Sequence, residues 1–327
     1  MASGPHSSPY LHGSATVSRV MFTVLVALVP VVAAYFWLWG VSILSQLALA
    51  AITALIAEAT ILVLRKLPVR VALLDGSALV TALLLALCLP PSAPPWVVVI
   101  GVLFAIVVAK HLYGGLGYNL FNPAMAGYLV VLIAFPAQLT LWPVPDMYDI
   151  GAEAGVVVDS TSMATPLDRL RTGRLQGKPA AEAMAASPLF GIFPNGVTAI
   201  LALAWAAGGL LLLATRTIHW RIPLALLLSL GLFAGICGWL NPTDHAGWLF
   251  HLFSGGTMAA AFFIATDPVS AATTPRGQII YAAGIGLLIY LIRGWGGYPD
   301  GVAFAVLLMN IAAPLIDYFT IPRAYGE

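Results

Sequence analysis

Charge is what this 327-residue chain has least of: Asp, Glu, Lys and Arg together make up 8% of it, where a water-surrounded domain carries about 25%. A surface that poor in charge is not kept in water, and the 61% of hydrophobic residues suits a lipid bilayer instead. The few charges nearly cancel, at +1 net, which gives no sign of a nucleic-acid partner. Cysteine is also scarce. Cys88 and Cys237 sit in separate apolar runs with no second thiol or histidine at metal-ligand spacing. Iron–sulfur chemistry and a metal site are therefore not expected, and both thiols are assigned to packing. The opening residues, MASGPHSSPYLHGSATVSR, lack a basic stretch ahead of an apolar core, so they read as a polar tail and not as a cleavable signal. GGLGYN (114–119) has the glycines of a dinucleotide-binding loop but follows an apolar helix, with no βαβ unit around it; a nucleotide fold is rejected.

What the chain does have is long apolar runs. A spanning helix needs roughly 20 apolar residues, and ten segments qualify as candidates: 19–40, 41–64, 76–90, 96–112, 123–142, 196–215, 219–240, 249–265, 278–293 and 301–320. These predict an all-α integral membrane protein of about ten transmembrane helices. The third, fourth, eighth and ninth are short or broken by Gly and Pro, which a bilayer tolerates only where the ends are buried in protein or line a cavity. One long polar interval, 143–195, divides the chain into tail 1–18, a first five-helix unit 19–142, the loop, a second unit 196–320 and tail 321–327. With both termini cytoplasmic, nine of the Lys and Arg residues fall inside. Of the five outside, Arg169, Arg171, Arg174 and Lys178 lie in the long loop, where the positive-inside rule counts least, and only Arg293 lies elsewhere. The loop is thus expected on the outer side of the membrane.

The two units look alike. ALLLALCLPPSAPPWVVVIGVLFAIVVAKHLYGGLGYNLFNPAMAGYLV, from residue 82, and AAFFIATDPVSAATTPRGQIIYAAGIGLLIYLIRGWGGYPDGVAFAVLLMN, from residue 260, share an order. Each has an apolar run, a Pro-Ser break, a helix, a Gly-Gly turn and a second helix. An odd number of spans in each makes the repeats inverted, with broken helices meeting around a pseudo-two-fold axis. An inner cluster would gather LLDGS (73–77), GGLGYNLFNP (114–123) and ATDPVS (265–270); an outer one would gather LPPS (89–92), SGGT (254–257) and GGYPDG (296–301). Membrane-edge turns are the competing reading of both. Two acids stand out as candidates for ion coupling. Glu58 is mid-span, where an unpaired carboxylate costs at least ~2.5 kcal/mol, so it needs a partner or a proton. Asp267 lies beside a proline break, where capping a broken helix is the alternative role.

DSTSMATPLD (159–168) places four hydroxyls in six residues of the polar interval. Pro166 pushes Thr165 toward an extended conformation, which predicts a hydroxyl presented outward and not folded back onto a helix. By these residues alone a Ser/Thr turn is the simpler reading.

SMATPL resembles the flavin-attachment motif of the NqrB/RnfD family of membrane subunits, in which Asp, Ser, Ala and Thr precede Pro-Leu. The resemblance implies that Thr165 carries FMN through a phosphoester made by a separate flavin transferase, with Asp159, Ser162 and Ala164 completing the motif. Met163 and Ser160 stand where the family usually has glycine. LLDGSALVTALLLALCLPPSAPPW, KHLYGGLGYNLFNPAM, FFIATDPVSAATTPRG and GGYPDGVAFAVLLMNIAAPLID also resemble family blocks, in family order, from about residue 73 to the end. The short tail is more similar to the RnfD branch than to the longer extension of NqrB.

The resemblance implies a subunit of an Rnf-type complex that moves electrons between ferredoxin and NAD, coupled to Na⁺ or H⁺ transport, with the A, B, C, E and G subunits of that complex as partners. Such a subunit has no complete oxidoreductase activity alone, and no residue is assigned a catalytic role. A second, non-covalent riboflavin is implied near the cytoplasmic side, for which Gly115, Gly117, Asn119 and Asn122 are the candidates. The B subunit of a Na⁺-translocating NADH:quinone oxidoreductase is the alternative within the family; outside it, a flavin-free inverted-repeat transporter or channel and a structural membrane scaffold remain open.

Overall fold

A computed structural model describes residues 16–143, 145, 162–185, 196–298 and 300–321. The chain is built almost wholly of helices because a bilayer offers no water to backbone N–H and C=O groups, and a helix satisfies them within its own segment. The first apolar run is two helices, α1 (Val17–Ala27) and α2 (Val29–Trp39), joined at Leu28, with Pro30 in the first turn of α2. Gly40, at φ 62°, turns the chain into α3 (Val41–Leu64), whose 24 residues reach about 36 Å. A short α4 (Val69–Leu73) leads to α5 (Ser77–Cys88). Next come α6 (Pro95–Leu103), which widens into a π-helix over Phe104–His111, and α7 (Pro123–Ala134).

The run expected over 123–142 is shorter than its hydropathy suggests. Pro136 cannot extend the ladder of α7, and a separate α8 (Pro136–Thr140) and strand β1 (Leu141–Pro143) follow. β1 pairs antiparallel with β2 (Ser162–Ala164), Trp142 opposite Met163. Among the described residues of the polar interval there are two helices, α9 (Pro166–Leu175) and α10 (Ala180–Ala185). The second unit comprises α11 (Val197–Ala214), α12 (Arg221–Leu240), α13 (Trp248–Phe253), α14 (Thr257–Ala259, continuing as a π-helix to Ile264), α15 (Pro275–Trp295) and α16 (Val302–Thr320).

Each of the ten apolar runs contains helix. Among the described residues, six helices, with α1–α2 counted as one, are long and apolar enough to cross a membrane, while 77–88, 95–111 and 123–134 are shorter apolar helices. Their outer faces are the reverse of a soluble protein's. On α12, Leu224, Leu228, Leu232 and Ile236 recur every four residues and are 45–62% exposed. In water such a stripe invites aggregation, whereas in a bilayer it is the lipid-facing side.

Inside, helices approach through glycine, since apolar side chains gain nothing by leaving lipid and close packing must hold the bundle. A Cβ at Gly208 would overlap the Ala27 carbonyl, and one at Gly286 would overlap the Ser229 hydroxyl and the Leu226 carbonyl of α12. Gly286→Val should therefore wedge α12 from α15 and cost about 1–3 kcal/mol, read as a lower thermal-unfolding midpoint of the detergent-solubilised protein. Gly235→Ala, on an α12 site with no neighbour within 4 Å, should leave the midpoint unchanged or raise it. Equal behaviour of the two variants would refute the close crossing.

Candidate functional site

Thr165 is the residue preceding α9, with φ −63° and ψ 158°, the extended backbone that Pro166 demands. Its hydroxyl, however, is not presented outward: Oγ1 accepts the Asp168 N–H at 3.2 Å and caps α9. The physical reason lies in the local sequence. Thr followed by Pro at the first helical position, with an acid at the third, is a strong helix start, and an unpaired N–H there is best met by the threonine itself. The preceding motif residues Ser162 and Ala164 lie in β2, so the ladder to β1 fixes the approach to Thr165. Asp159 lies outside the described residues.

Thr165, Pro166 and Leu167 line one edge of a pocket of about 1180 Å³, counting its space open to solvent. Both units contribute walls. Tyr35 and Trp39 come from α2, Tyr128 from α7, Trp142 from β1 and Trp205 from α11; Gly255, Gly256 and Asp300 belong to the second unit's broken segments. Polar atoms of the aromatic wall are already occupied at two positions. Tyr35 OH donates to the Leu87 carbonyl at 2.8 Å, and Trp39 Nε1 donates to the Pro143 carbonyl at 3.0 Å. Tyr35 and Trp39 have centroids 5.3 Å apart, and Trp39 and Trp142 5.9 Å. A mostly apolar, aromatic cleft with a few placed polar groups is the usual form of a site for a flat organic cofactor.

Of the three stretches expected to gather in the outer cluster, SGGT and GGYPDG meet directly. Asp300 Oδ2 accepts the Gly256 N–H at 2.8 Å, and its Oδ1 lies 3.0 Å from Arg293 Nη2. Arg293 also donates to the carbonyls of His251 and Ser254 and to Thr257 Oγ1, at 2.8, 3.1 and 3.0 Å. The sequence sets Arg293 on the outer side and assigns it no role. The signal that could have found it is a lone arginine ending an apolar helix, seven residues before an aspartate.

At the opposite end of α3 the structure supplies the partner that Glu58 needs. Lys110 Nζ donates to both Glu58 oxygens at 2.7 Å and to Ser77 Oγ at 2.8 Å; His111 Nε2 lies 3.6 Å from Glu58 Oε1. Ser77 in turn donates its hydroxyl and its N–H to Asp75 Oδ1, at 2.6 and 2.7 Å. Both members of the ion pair are buried. Arg65 Nη1 donates to the carbonyls of His111 and Gly114, at 3.3 and 3.1 Å, and so holds the start of the glycine loop. Gly114, Gly115 and Gly117 take φ of 132°, 107° and 90°, a run only glycine adopts freely.

The two asparagines of that loop differ. Asn122 Oδ1 caps α7 by accepting the Met125 N–H at 3.1 Å, and its Nδ2 donates to the Ile264 carbonyl at 3.2 Å. Its own N–H donates to Asn310 Oδ1 at 3.0 Å. Asn122 therefore joins the two units. Asn119 is also buried, but its Oδ1 has no hydrogen-bond partner in the structure. Asp267 accepts from Ser270 Oγ at 2.7 Å and from the Val269 N–H at 3.5 Å, closing the turn after the break in its helix. Among the described residues, no group of three or more His, Cys, Asp or Glu is placed to hold a metal ion.

The model of the NQR2, RnfD, RnfE family matches residues 5–326. A relative from Yersinia pseudotuberculosis serotype O:1b, named as the D subunit of an ion-translocating oxidoreductase complex, is 49% identical, covering 98% of this chain and 97% of the relative. Proteins of the same name from Yersinia pestis and Escherichia coli strain SE11 are 49% and 48% identical with the same coverage. With a match along nearly its whole length, the chain belongs to the NQR2, RnfD, RnfE family.

Proposed function

We propose that this chain is the flavin-carrying membrane subunit of an Rnf-type ion-translocating oxidoreductase complex, with FMN bound covalently to Thr165. The observation that carries the reading is that Thr165 lines an aromatic pocket to which both units contribute. The residues fit the group. Trp39, Trp142, Tyr128 and Trp205 offer flat apolar surface for an isoalloxazine ring, and the first turn of α9 offers N–H groups and a positive dipole end to a phosphate. When bound, a flavin supplies the ability to exchange one or two electrons. The protein's part is to hold it against the pocket, exclude water and prevent its loss by diffusion.

In this reading all ten apolar runs count as membrane-crossing or re-entrant segments, arranged as two inverted five-helix repeats. Support comes from a recurrence in the side chains. Lys110, near the end of the fourth apolar run, donates to Ser77, which opens the helix of the third run; Arg293, ending the ninth, donates to Thr257, which opens the second helical piece of the eighth. The two pairs lie toward opposite ends of the helices, as inversion requires. The charge asymmetry of the sequence sets both termini in the cytoplasm and Thr165 in the periplasm, across the inner membrane. The A, B, C, E and G subunits are the proposed partners, and a flavin transferase matures the chain. A second flavin, riboflavin, is assigned to the inner loop, where the free Asn119 Oδ1 near Gly115 and Gly117 in the chain is a better-placed acceptor than the fully engaged Asn122.

Co-expression with a flavin transferase followed by denaturing electrophoresis tests the main assignment. The wild-type band should fluoresce under ultraviolet light and the Thr165→Ala band should not; a dark wild-type band would favour the flavin-free transporter or the scaffold. For the second site, Asn119→Leu should lower the acid-extractable riboflavin per protein at least severalfold with the Thr165 fluorescence kept. An unchanged riboflavin content would remove that loop from consideration.

Of the two acids, Glu58 is the better candidate for ion coupling, since it lies in a buried cluster with Lys110 and His111 while Asp267 closes a local turn. Glu58→Gln alone leaves Lys110 without its counter-charge, a loss of about 3–5 kcal/mol, seen as a lowered melting midpoint. Glu58→Gln with Lys110→Met should restore the midpoint yet abolish ion uptake by vesicles containing the assembled complex. A double variant that pumps normally would end the coupling role.

A further inference from the structure

We propose that Arg293, acting through Asp300 and Gly255, is the positioning residue that seats the Thr165 segment on its pocket, an inference that rests on the reading of Thr165 as the flavin-bearing residue. The Arg293 side chain is 1% exposed, and each nitrogen of its planar fork has a partner. Nη1 bonds the His251 carbonyl, Nη2 bonds the Ser254 carbonyl and Thr257 Oγ1, and Nε and Nη2 both reach Asp300 Oδ1. Asp300 passes the constraint on, accepting the N–H of Gly256 with one oxygen and that of Val302 with the other. The turn at 254–257 is thus clamped from its carbonyl side by the guanidinium and from its N–H side by the carboxylate.

Gly255 is the centre of that turn, at φ 64°. A Cβ there would stand 2.5 Å from Asp300 Oδ2, 2.8 Å from Arg293 Nη2 and 2.5 Å from Leu167 Cδ1. The missing side chain is therefore a notch whose walls are the ion pair and whose occupant is Leu167, two residues beyond Thr165. Leu167 also belongs to a small apolar cluster with Leu170, Ala180, Ala246 and Phe250, separate from the main core. The other end of α9 returns to the same helix end. Arg174 donates to the Gly294 carbonyl and lies over the Trp295 ring, with 6.0 Å to the centroid. The segment is held at its start by the turn that Arg293 clamps and at its end by the last turn of α15. Thr165 caps α9 and is placed with it, so the Arg293 clamp fixes where the acceptor oxygen sits. A competing role for Arg293 is a general tie among α13, α15 and α16, with no particular effect on α9.

Hydrogen exchange on flavin-free protein, made without a transferase, separates the two roles. Gly255→Ala and Arg293→Lys should each speed amide exchange in residues 166–175 at least tenfold while α11 and α12 keep their protection. Adding Leu167→Ala to Gly255→Ala, which makes room for the new methyl group, should return part of that protection to the seat of α9. In flavin-loaded protein the same variants should still fluoresce in the gel but show faster anisotropy decay of the attached flavin. Unchanged exchange in 166–175 overturns the proposal, and so does loosening spread equally over α11 and α12. If Arg293→Lys does not fold, Gly255→Ala decides alone. The exchange result does not need a flavin, so a dark wild-type band would overturn the assignment of Thr165 and leave the docking measurement standing.

Discussion

An interrupted helix inside a bilayer exposes N–H and C=O groups that no water can reach, and this molecule is organised by how it satisfies them. At one end, Ser77 opens α5 and receives Lys110; at the other, Thr257 opens α14 and receives Arg293. Between the two, Asn122 and Asn310 meet at the break after Ile264, where Asn310 Nδ2 also reaches the Ser270 carbonyl and the Tyr281 hydroxyl. These side chains let short helices stop and restart within the bundle without stranding polar backbone. Remove that provision and the breaks, with the turns and pockets they create, become too costly to keep.

The pocket beside Thr165 follows from those breaks. α5 stops at Cys88 and α14 does not begin until Thr257, so Leu87, Cys88, Gly255 and Gly256 meet around a space that two unbroken helices would have filled. α2, α7 and α11 then close it with aromatic side chains; those of Tyr35 and Trp39 have their polar atoms already bonded, which leaves ring faces to the interior. Neither unit could build this site alone. In the proposed reading, the protein's contribution to redox chemistry is the fixed geometry that such a cleft gives to the flavin.

Much of this is legible in the sequence, and the parts that are not share a cause. The apolar runs mark the helices because bilayer thickness sets a length that composition reveals directly. Glu58 announces a need for a partner, but nothing in one dimension says that Lys110, 52 residues away, meets it. Topology alone sets Arg293 on the same side as Gly255, yet its role depends on four acceptor atoms drawn from two separate stretches, 251–257 and Asp300. The Thr165 hydroxyl departs from expectation for a different reason. Pro166 holds the residue before it in an extended conformation and also starts a helix, and an extended residue at a helix start is placed to turn its hydroxyl back onto the helix. Both are present, and the cap decides where the oxygen points.

Scarcity of charge gives a last criterion for weighing the acids. An ionised group in a membrane protein persists where the fold or the function needs it, and its partners show which. Asp317 receives the N–H groups of Thr273 and Thr274 at the start of α15, and Asp267 and Asp75 each close a turn of a few residues; these carboxylates replace missing helical hydrogen bonds. Glu58 caps nothing. It lies within α3, bonded to a lysine and beside a histidine, where a hydrophobic trio of similar volume would pack as well or better. The Glu58 carboxylate caps no helix and closes no turn, which sets it apart from the other acids and makes it the one on which the proposed coupling role is tested.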